Sequence, residues 1–323
     1  MSRRPVPPLP PVARRVLRRD RQALAQLITQ VENRDPAALP SVRALYPQSG
    51  RATVVGVTGP LGVGKSSLLN LLLAHLRVQG KRVGIVAVDP SSPFSGGSIL
   101  GDRIRLERPP GDDGVFIRSM AARGHSGGVA LATRETVRLL DAFGMDVILV
   151  ETVGSGQADV EIREVASTSV VVVVPHLGDE IQSLKAGLFE IADVFCVNKS
   201  DLPGADSAAR YLTEMTQLVP EKGAWRPVVV LTSTTIPSGV SDLWDAVLRH
   251  EAFLDANGSR RVRARRQLTD EILGLVRERV DARLASVLAQ EPDLQALLDR
   301  VVAREIDPYS AADRLLAEVR REP

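Results

Sequence analysis

Residues 53–67 read TVVGVTGPLGVGKSS, and the reading of this stretch decides the fold. A short β-branched segment runs into Gly59-Pro60-Leu61-Gly62-Val63-Gly64-Lys65-Ser66, and an apolar helical pattern, SLLNLLLAHL, follows. The order is G-x-x-x-x-G-K-[ST] between a strand and a helix. Glycines let successive backbone N–H groups curl around phosphate oxygens, and the helix N-terminus adds its positive dipole end. Such a loop is expected to hold a nucleotide through Gly59, Leu61, Gly62, Val63, Gly64, Lys65, Ser66 and Ser67. Lys65 would reach the terminal phosphates, and the Ser66 hydroxyl would bind Mg2+.

Outward from this loop the chain alternates. The apolar runs TVVGVTG, RVGIVAVD, VFIRSM, DVILVE, SVVVVVP, DVFCVNK and PVVVLTS are separated by helical stretches or loops. Their apolar residues are continuous rather than alternating, so both faces of the sheet are covered. This predicts an α/β fold, a P-loop NTPase with a doubly wound, mainly parallel sheet. Upstream, residues 1–11 are Pro/Arg-rich, and residues 12–33 carry helical apolar spacing at Val16, Leu17, Leu24, Leu27, Ile28 and Val31. A short helix restarts near Pro36. Beyond Asn257-Gly258 the strands cease and charge-rich helices take over. The expected organisation is an N-terminal helical extension over 1–48, a nucleotide-binding domain over 49–256 and a C-terminal helical arm over 257–323.

Composition narrows the classes. The chain has 323 residues, 44% hydrophobic, with a formal net charge of +2, so no polyanion partner is implied. One cysteine, Cys196, excludes an internal disulfide and a cysteine-only metal site. No apolar run approaches a membrane span, and the N-terminus lacks the apolar stretch of a signal peptide, so a cytoplasmic protein is expected. Only five of the 41 basic residues are lysines, and three of them, Lys65, Lys185 and Lys199, lie in the motifs discussed here. A compact ammonium serves at such sites where a planar guanidinium would not.

The run DVFCVNKSD puts Asn198-Lys199-Ser200-Asp201 at a strand C-terminus, downstream of the phosphate loop. A carboxylate there accepts two hydrogen bonds, from guanine N1–H and its exocyclic amine. Adenine offers neither donor in that place. Asn198 would hold the N7 edge and the Lys199 stem would cover the ring, so GTP is expected over ATP. Ser233 or Thr232 in VVVLTSTT is a further candidate for the base edge. Cys196, in mid-strand, reads as a small core residue.

After DVILV the chain reads Glu151-Thr152-Val153-Gly154, an E-x-x-G. Glu151 is expected beside the Mg2+ end of the nucleotide, with the Gly154 N–H sensing the terminal phosphate. Asp89 ends the run RVGIVAVD, and Asp102 follows in the loop PSSPFSGGSILGD. Hard carboxylate oxygens with Ser66 and phosphates suit Mg2+. The alternative for Asp102 is the cap of a following helix, but the long, glycine-rich loop favours the metal-linked role. Gln157 either positions the attacking water or is a solvated loop residue. The hydrolysis would be phosphoryl transfer to water, with Lys65, Glu151 and Gln157 as the catalytic candidates. No arginine finger stands out, so turnover is expected to be slow alone, with Arg118 and Arg123 as candidates for help from within the chain.

Together these motifs resemble the G-protein chaperones of adenosylcobalamin-dependent acyl-CoA mutases. This is the MeaB/ArgK type of SIMIBI-class P-loop GTPase, to which the human methylmalonic aciduria type A protein is related. The stretches carrying the likeness are VDPSSPFSGGSILGDRIR, FIRSMAARGHSGGVALATRE, DVILVETVGSGQ, GDEIQSLKAGLFEIADVFCVNKSD and GVSDLWDAVLRH. The resemblance implies a GTPase that gates cofactor loading and protects or rescues a methylmalonyl-CoA-type mutase, with GTP/GDP and Mg2+ as cofactors. It also implies that the C-terminal arm makes a homodimer. By motif match it gives Asp179, Gln182 and Lys185, in GDEIQSLKAG, a role in relaying nucleotide state to the mutase. By itself that segment reads as an amphipathic helix start with Asp179 near its cap. The stretch ADVEIREVASTS and the run PHLGD, which lead into this segment, depart from the family pattern.

Three rivals are weighed. A nickel-insertion GTPase needs soft or imidazole ligands, but the four histidines are widely spaced and there is one cysteine. Of these, His75 and His250 read as plain helix residues, whereas His125 lies in the RGHSGG string and would face the nucleotide. A transporter-linked ATPase or kinase for basic amino acids conflicts with NKSD. Nucleic-acid binding through RRVRARR lacks the aromatic residues such sites interleave.

Overall fold

A computed structural model describes residues 8–90, 106, 110–122, 128–152, 162–175, 186–217, 224–290 and 292–319. The chain forms two compact units, 1–263 and 264–323. The boundaries at 48 and 256 follow changes in sequence pattern, whereas the first unit extends to Arg263 and includes the N-terminal helices.

The first unit opens with α1 (Pro11–Leu17), α2 (Arg21–Glu32) and α3 (Leu39–Leu45). The helical spacing expected over 12–33 is divided between two helices, α1 and α2. Arg19 turns through φ 65°, and the Asp20 side chain then caps α2 by accepting from Ala23 N at 3.0 Å. An aspartate at that position offers the backbone an alternative to a continuing helix. The break lets α1 fold back on α2, so that Ala13, Val16, Leu24, Leu27 and Ile28 share one core.

The sheet strands are β1 (Thr53–Thr58), β2 (Val83–Pro90), β3 (Val115–Ala122), β4 (Val147–Thr152), β5 (Thr168–Val173), β6 (Val194–Val197) and β7 (Val228–Leu231). They lie in the order β3-β2-β4-β1-β5-β6-β7, and every pairing is parallel. The intervening helices are α4 (Lys65–Val78), α5 (Gly128–Phe143), α6 (Ala186–Ile191), α7 (Ala205–Gln217) and α8 (Val240–Ala256). On one face, Leu68, Leu69, Leu72 and Leu76 of α4 join Leu243 and Trp244 of α8 over Val55, Val57, Ile85 and Val172. On the other face, α5 and the N-terminal helices cover β2 and β4, and α6 and α7 cover β5 and β6. Both faces are thus dry, which is why the strands read as unbroken apolar runs.

The N-terminal helices also meet the outer strand β3. Arg118 of β3 pairs with Glu32 and bonds Thr29 Oγ1 at 3.0 Å, and Arg21 donates to Val115 O at 2.7 Å. Arg118 is therefore tied to α2. That removes it as a candidate for intramolecular help at the phosphates, and Arg123 lies outside the described residues.

After Ala256 the chain turns at Gly258 into α9 (Ser259–Gln290), which passes from the first unit into the second. The second unit continues with α10 (Pro292–Val302) and α11 (Pro308–Val319). Among the described residues its buried apolar core is small, Leu297 and Ala311 with Val301, Ile306 and Leu315 against them.

Candidate nucleotide site

Sheet order places the site. β1 lies between β4 and β5, and the chain builds outward from it in both directions. In open α/β sheets the crevice at the carboxyl ends of the strands, where the winding reverses, is where ligands bind. The loop from Gly59 to Gly64 leaves β1 at that point and enters α4.

The loop takes this path because of its glycines. Gly59, Gly62 and Gly64 have φ of 140°, 79° and 90°. A Cβ on Gly59 would lie 2.2 Å from Val172 O of β5, and one on Gly64 would lie 2.5 Å from Asn198 Nδ2. Two neighbouring strands therefore press on the loop, and only a residue without a side chain fits between. Lys65, the first residue of α4, is buried, and its Nζ donates to Gly59 O at 2.7 Å and Pro60 O at 2.9 Å. The ammonium thus lies folded over the loop. Ser66 donates its hydroxyl to Glu151 Oε1 at 2.7 Å, across 85 residues of chain. Glu151, in β4, is buried, and next to it Thr152 donates to Thr58 Oγ1 at 2.8 Å. The strand-end glutamate and the phosphate-loop serine, paired only by motif in the sequence, are in contact.

Asp89 stands in β2, whose register sets Ala87 opposite Glu151, so its backbone lies two residues beyond that pairing toward the same carboxyl edge. Asp102, Gly154, Gln157, Asp179, Gln182 and Lys185 lie outside the described residues, as do His125 and His176.

The base motif is held to the same loop. Asn198 Nδ2 donates to Val63 O at 2.7 Å, and Lys199 Nζ donates to Gly62 O at 3.0 Å. Lys199 adopts φ 57°, a left-handed turn that swings the chain from β6 toward Asp201. The Asp201 carboxylate accepts from Ser233 Oγ at 2.5 Å, and Ser233 Oγ in turn accepts from Ile236 N at 3.1 Å. Thr232 behaves differently from its neighbour. It is fully buried and donates to Asn198 Oδ1 at 3.2 Å, with Cys196 Sγ at 3.1 Å on its other side. It orients the asparagine and does not face a base. Fixing Oδ1 on Thr232 leaves the amide Nδ2 to donate to the loop at Val63 O. Burial pushes the Cys196 thiol up to about 12, so it stays protonated and acts as packing. Sequence reasoning named Thr232 only as an alternative to Ser233; both are buried just beyond β7, and their hydrogen bonds separate them, Thr232 to Asn198 and Ser233 to Asp201.

His250 is also not the plain helix residue expected. It is buried between Thr168, Asp193 and the Trp225 ring, away from the phosphate loop.

The arrangement brings the Lys65 ammonium, the Ser66–Glu151 pair, Asn198 and Lys199 onto one loop, with Asp201 held by Ser233 beyond them. Comparison with known proteins agrees with it. Residues 24–289 match a family described as "Methylmalonyl Co-A mutase-associated GTPase MeaB". A Pyrococcus abyssi protein carrying a GTPase designation is 45% identical over 308 residues, covering 94% of this chain and 95% of that protein. The mitochondrial methylmalonic aciduria type A homolog of Mus musculus is 32% identical over 266 residues, 81% of this chain and 64% of that protein. The solved structure of a LAO/AO transport system kinase superposes with a TM-score of 0.70 at 25% identity, covering 96% of this chain and 97% of that one. The chain belongs to the MeaB family of P-loop GTPases, and is an enzyme that binds guanine nucleotide and hydrolyses GTP.

Proposed function

We propose that this GTPase is the chaperone of an adenosylcobalamin-dependent acyl-CoA mutase of the methylmalonyl-CoA type, gating cofactor loading and protecting or reactivating the mutase. The observation that carries the proposal is the family match across residues 24–289, which spans the whole nucleotide crevice. Sharing that crevice with a family defined by association with a mutase is better support than any one motif. Among the described residues no helix is long and apolar enough to cross a membrane. The protein is read as cytoplasmic, with no nucleic-acid or membrane partner.

In this reading the backbone N–H groups from Leu61 to Ser67 and the Lys65 ammonium bind the phosphates, and Lys65 neutralises charge that develops on them. Asn198, Lys199, Asp201 and Ser233 hold guanine. The contact of Ser66 Oγ with the buried Glu151 carboxylate offers hard oxygens of the kind Mg2+ prefers, with Asp89 on the adjacent strand edge; Asp102 is assigned to the same ion by its sequence position. Ser66, Glu151, Asp89 and Asp102 would hold Mg2+, which would supply charge neutralisation at the phosphates. Glu151 also accepts a hydrogen bond from the Ser66 hydroxyl, which fixes that hydroxyl at the start of α4. Gln157 is assigned to the attacking water, Gly154 to sensing the terminal phosphate, and Asp179, Gln182 and Lys185 to the relay toward the mutase.

The test is GTP hydrolysis with and without a purified cobalamin-dependent acyl-CoA mutase from the same genome, with ATP as control. Stimulation by at least about tenfold, for GTP alone, is expected if a partner completes the site. A rate equal with and without the mutase would overturn the partner-completed reading.

The C-terminal unit supports a homodimer, the arm over 257–323 being the dimerisation element. Ile272, Leu273 and Val276 of α9, Val302 of α10 and Tyr309 of α11 are exposed beside a core of very few residues. A small helical unit with that much apolar surface gains by covering it with a second copy. Sedimentation of the full chain is expected to give a dimer, and deletion of residues 264–323 a monomer. A truncated chain that still sediments as a dimer would place the interface elsewhere.

A further inference from the structure

A second polar cluster lies at the amino-terminal edge of the sheet, the end opposite the phosphate loop. Its centre is Asp193, the residue before β6, whose side chain is 9% exposed. Its carboxylate accepts from Ser169 N of β5 at 2.9 Å and from Arg263 Nη2 of α9 at 3.1 and 3.2 Å. His250 Nε2 of α8 lies 3.3 Å away, and the Asp193 carbonyl accepts from Trp225 Nε1 at 2.7 Å. Beside it the buried Glu251 carboxylate accepts from Ser167 Oγ at 2.6 Å and Thr168 Oγ1 at 2.5 Å. Glu251 also pairs with Arg260 Nη1 of α9 at 2.8 Å. Arg260 further donates to the Glu251 carbonyl and pairs with Asp255, and Arg263 Nη1 donates to the Ser167 carbonyl.

The arrangement resembles a Thr-His-Asp constellation, since Thr168 Oγ1 lies 2.8 Å from His250 Nδ1. Burial rules out catalysis there, because Thr168 is 0% and His250 1% exposed and no substrate reaches them. The question is what answers the two carboxylates. Burial holds His250 below its ordinary value, with Asp193 opposing and Arg263 reinforcing that shift. The imidazole is therefore a poor counter-ion at neutral pH. The permanent cations are two guanidiniums, and both come from the first turns of α9.

We propose that Arg260 and Arg263 form a latch that docks the start of α9 onto the amino-terminal ends of β5 and β6. Withdrawing α9 would leave Asp193 and Glu251 buried without a permanent cation, which is strongly unfavourable for a buried carboxylate. Arg263 is the last residue of the first unit, so the latch lies at the point where the chain passes into the second. Its residues are remote from the nucleotide crevice, so arm attachment is separable from nucleotide binding. Asp193 and Arg263 are positioning residues with no part in the chemistry.

Hydrogen exchange on the full-length protein tests this. Arg263→Met keeps the apolar stem and removes the cation. Amides in the first turns of α9 are expected to exchange about tenfold faster or more, while those of β1 and β4 keep their protection and GDP affinity stays within about twofold. Unchanged exchange at α9 overturns the latch. So does a uniform rise across the sheet, which would make Arg263 a general support. If Arg263→Met does not yield folded protein, Arg263→Lys replaces it. Lysine keeps the charge but cannot span Ser167 O and both Asp193 oxygens, so a smaller, local rise at α9 supports the latch and no local rise overturns it.

Discussion

Lys65→Ala is expected to lower the rate of GTP hydrolysis by about two to three orders of magnitude, the usual effect of removing one preorganised donor from a phosphoryl or oxyanion site. Lys65 is 6% exposed, and its ammonium is held beside the loop by two loop carbonyls, at 2.7 and 2.9 Å. A cation in such a place acts on developing phosphate charge with little reorganisation. The bond to Gly59 O is buried, so losing its donor should also cost some stability, and the melting temperature is read beside the rate to confirm that the variant is folded. Single-turnover hydrolysis with saturating GTP separates the chemical step from binding. A rate within threefold of the parent, in a folded protein, would remove Lys65 from the catalytic group.

The second large effect is expected at the base. Asp201→Asn should weaken GTP binding by about a hundredfold or more. Two hydrogen bonds to a charged acceptor are lost, each worth about 1.5–3 kcal/mol, and an amide N–H is set against a guanine donor. Ser233 holds Asp201 Oδ1 at 2.5 Å, so the side chain is locked and the substitution cannot rotate away. Xanthosine triphosphate carries a carbonyl where guanosine triphosphate carries an amine, so it should bind the variant better than the parent. Calorimetry with the two nucleotides on both proteins reads this directly. Equal GTP affinity in parent and variant would withdraw the base assignment.

Both predictions rest on motifs that were legible in sequence, and the reason is local chemistry. A phosphate loop works through backbone N–H groups, so its glycines, lysine and serine must be contiguous and must follow a strand. The strand-end Asn198-Lys199-Ser200-Asp201 is equally compact. The seven apolar runs were legible because a doubly covered parallel sheet leaves no polar face to interrupt them. The break between α1 and α2 was less so. The polar run Arg18-Arg19-Asp20-Arg21-Gln22 carries no mark of direction, and only the fold-back of α1, with Asp20 capping α2, shows that two helices share the core.

Other residues were opaque because their roles depend on partners far away in the chain. Arg118 looked available for phosphate chemistry until α2 presented Glu32 to it. Asp141 is unremarked in sequence, yet its carboxylate accepts from Gly50 N, Arg51 N and Ala52 N, closing the link between the N-terminal helices and β1. Thr232 and Ser233 are adjacent, chemically alike and both buried just beyond β7, yet one donates to Asn198 and the other to Asp201.

By itself the sequence determined the α/β class, the phosphate loop, the preference for guanine and the family, because each follows from contiguous residues or from the period of an apolar pattern. Only the tertiary structure decided that Ser66 meets Glu151, that Asn198 is clamped between Val63 and Thr232, and that Arg260 and Arg263 dock α9 on buried carboxylates. The physical reason is the same in each case. A buried polar group must find a partner wherever the packed sheet brings one, and separation along the chain carries no information about which residue that will be.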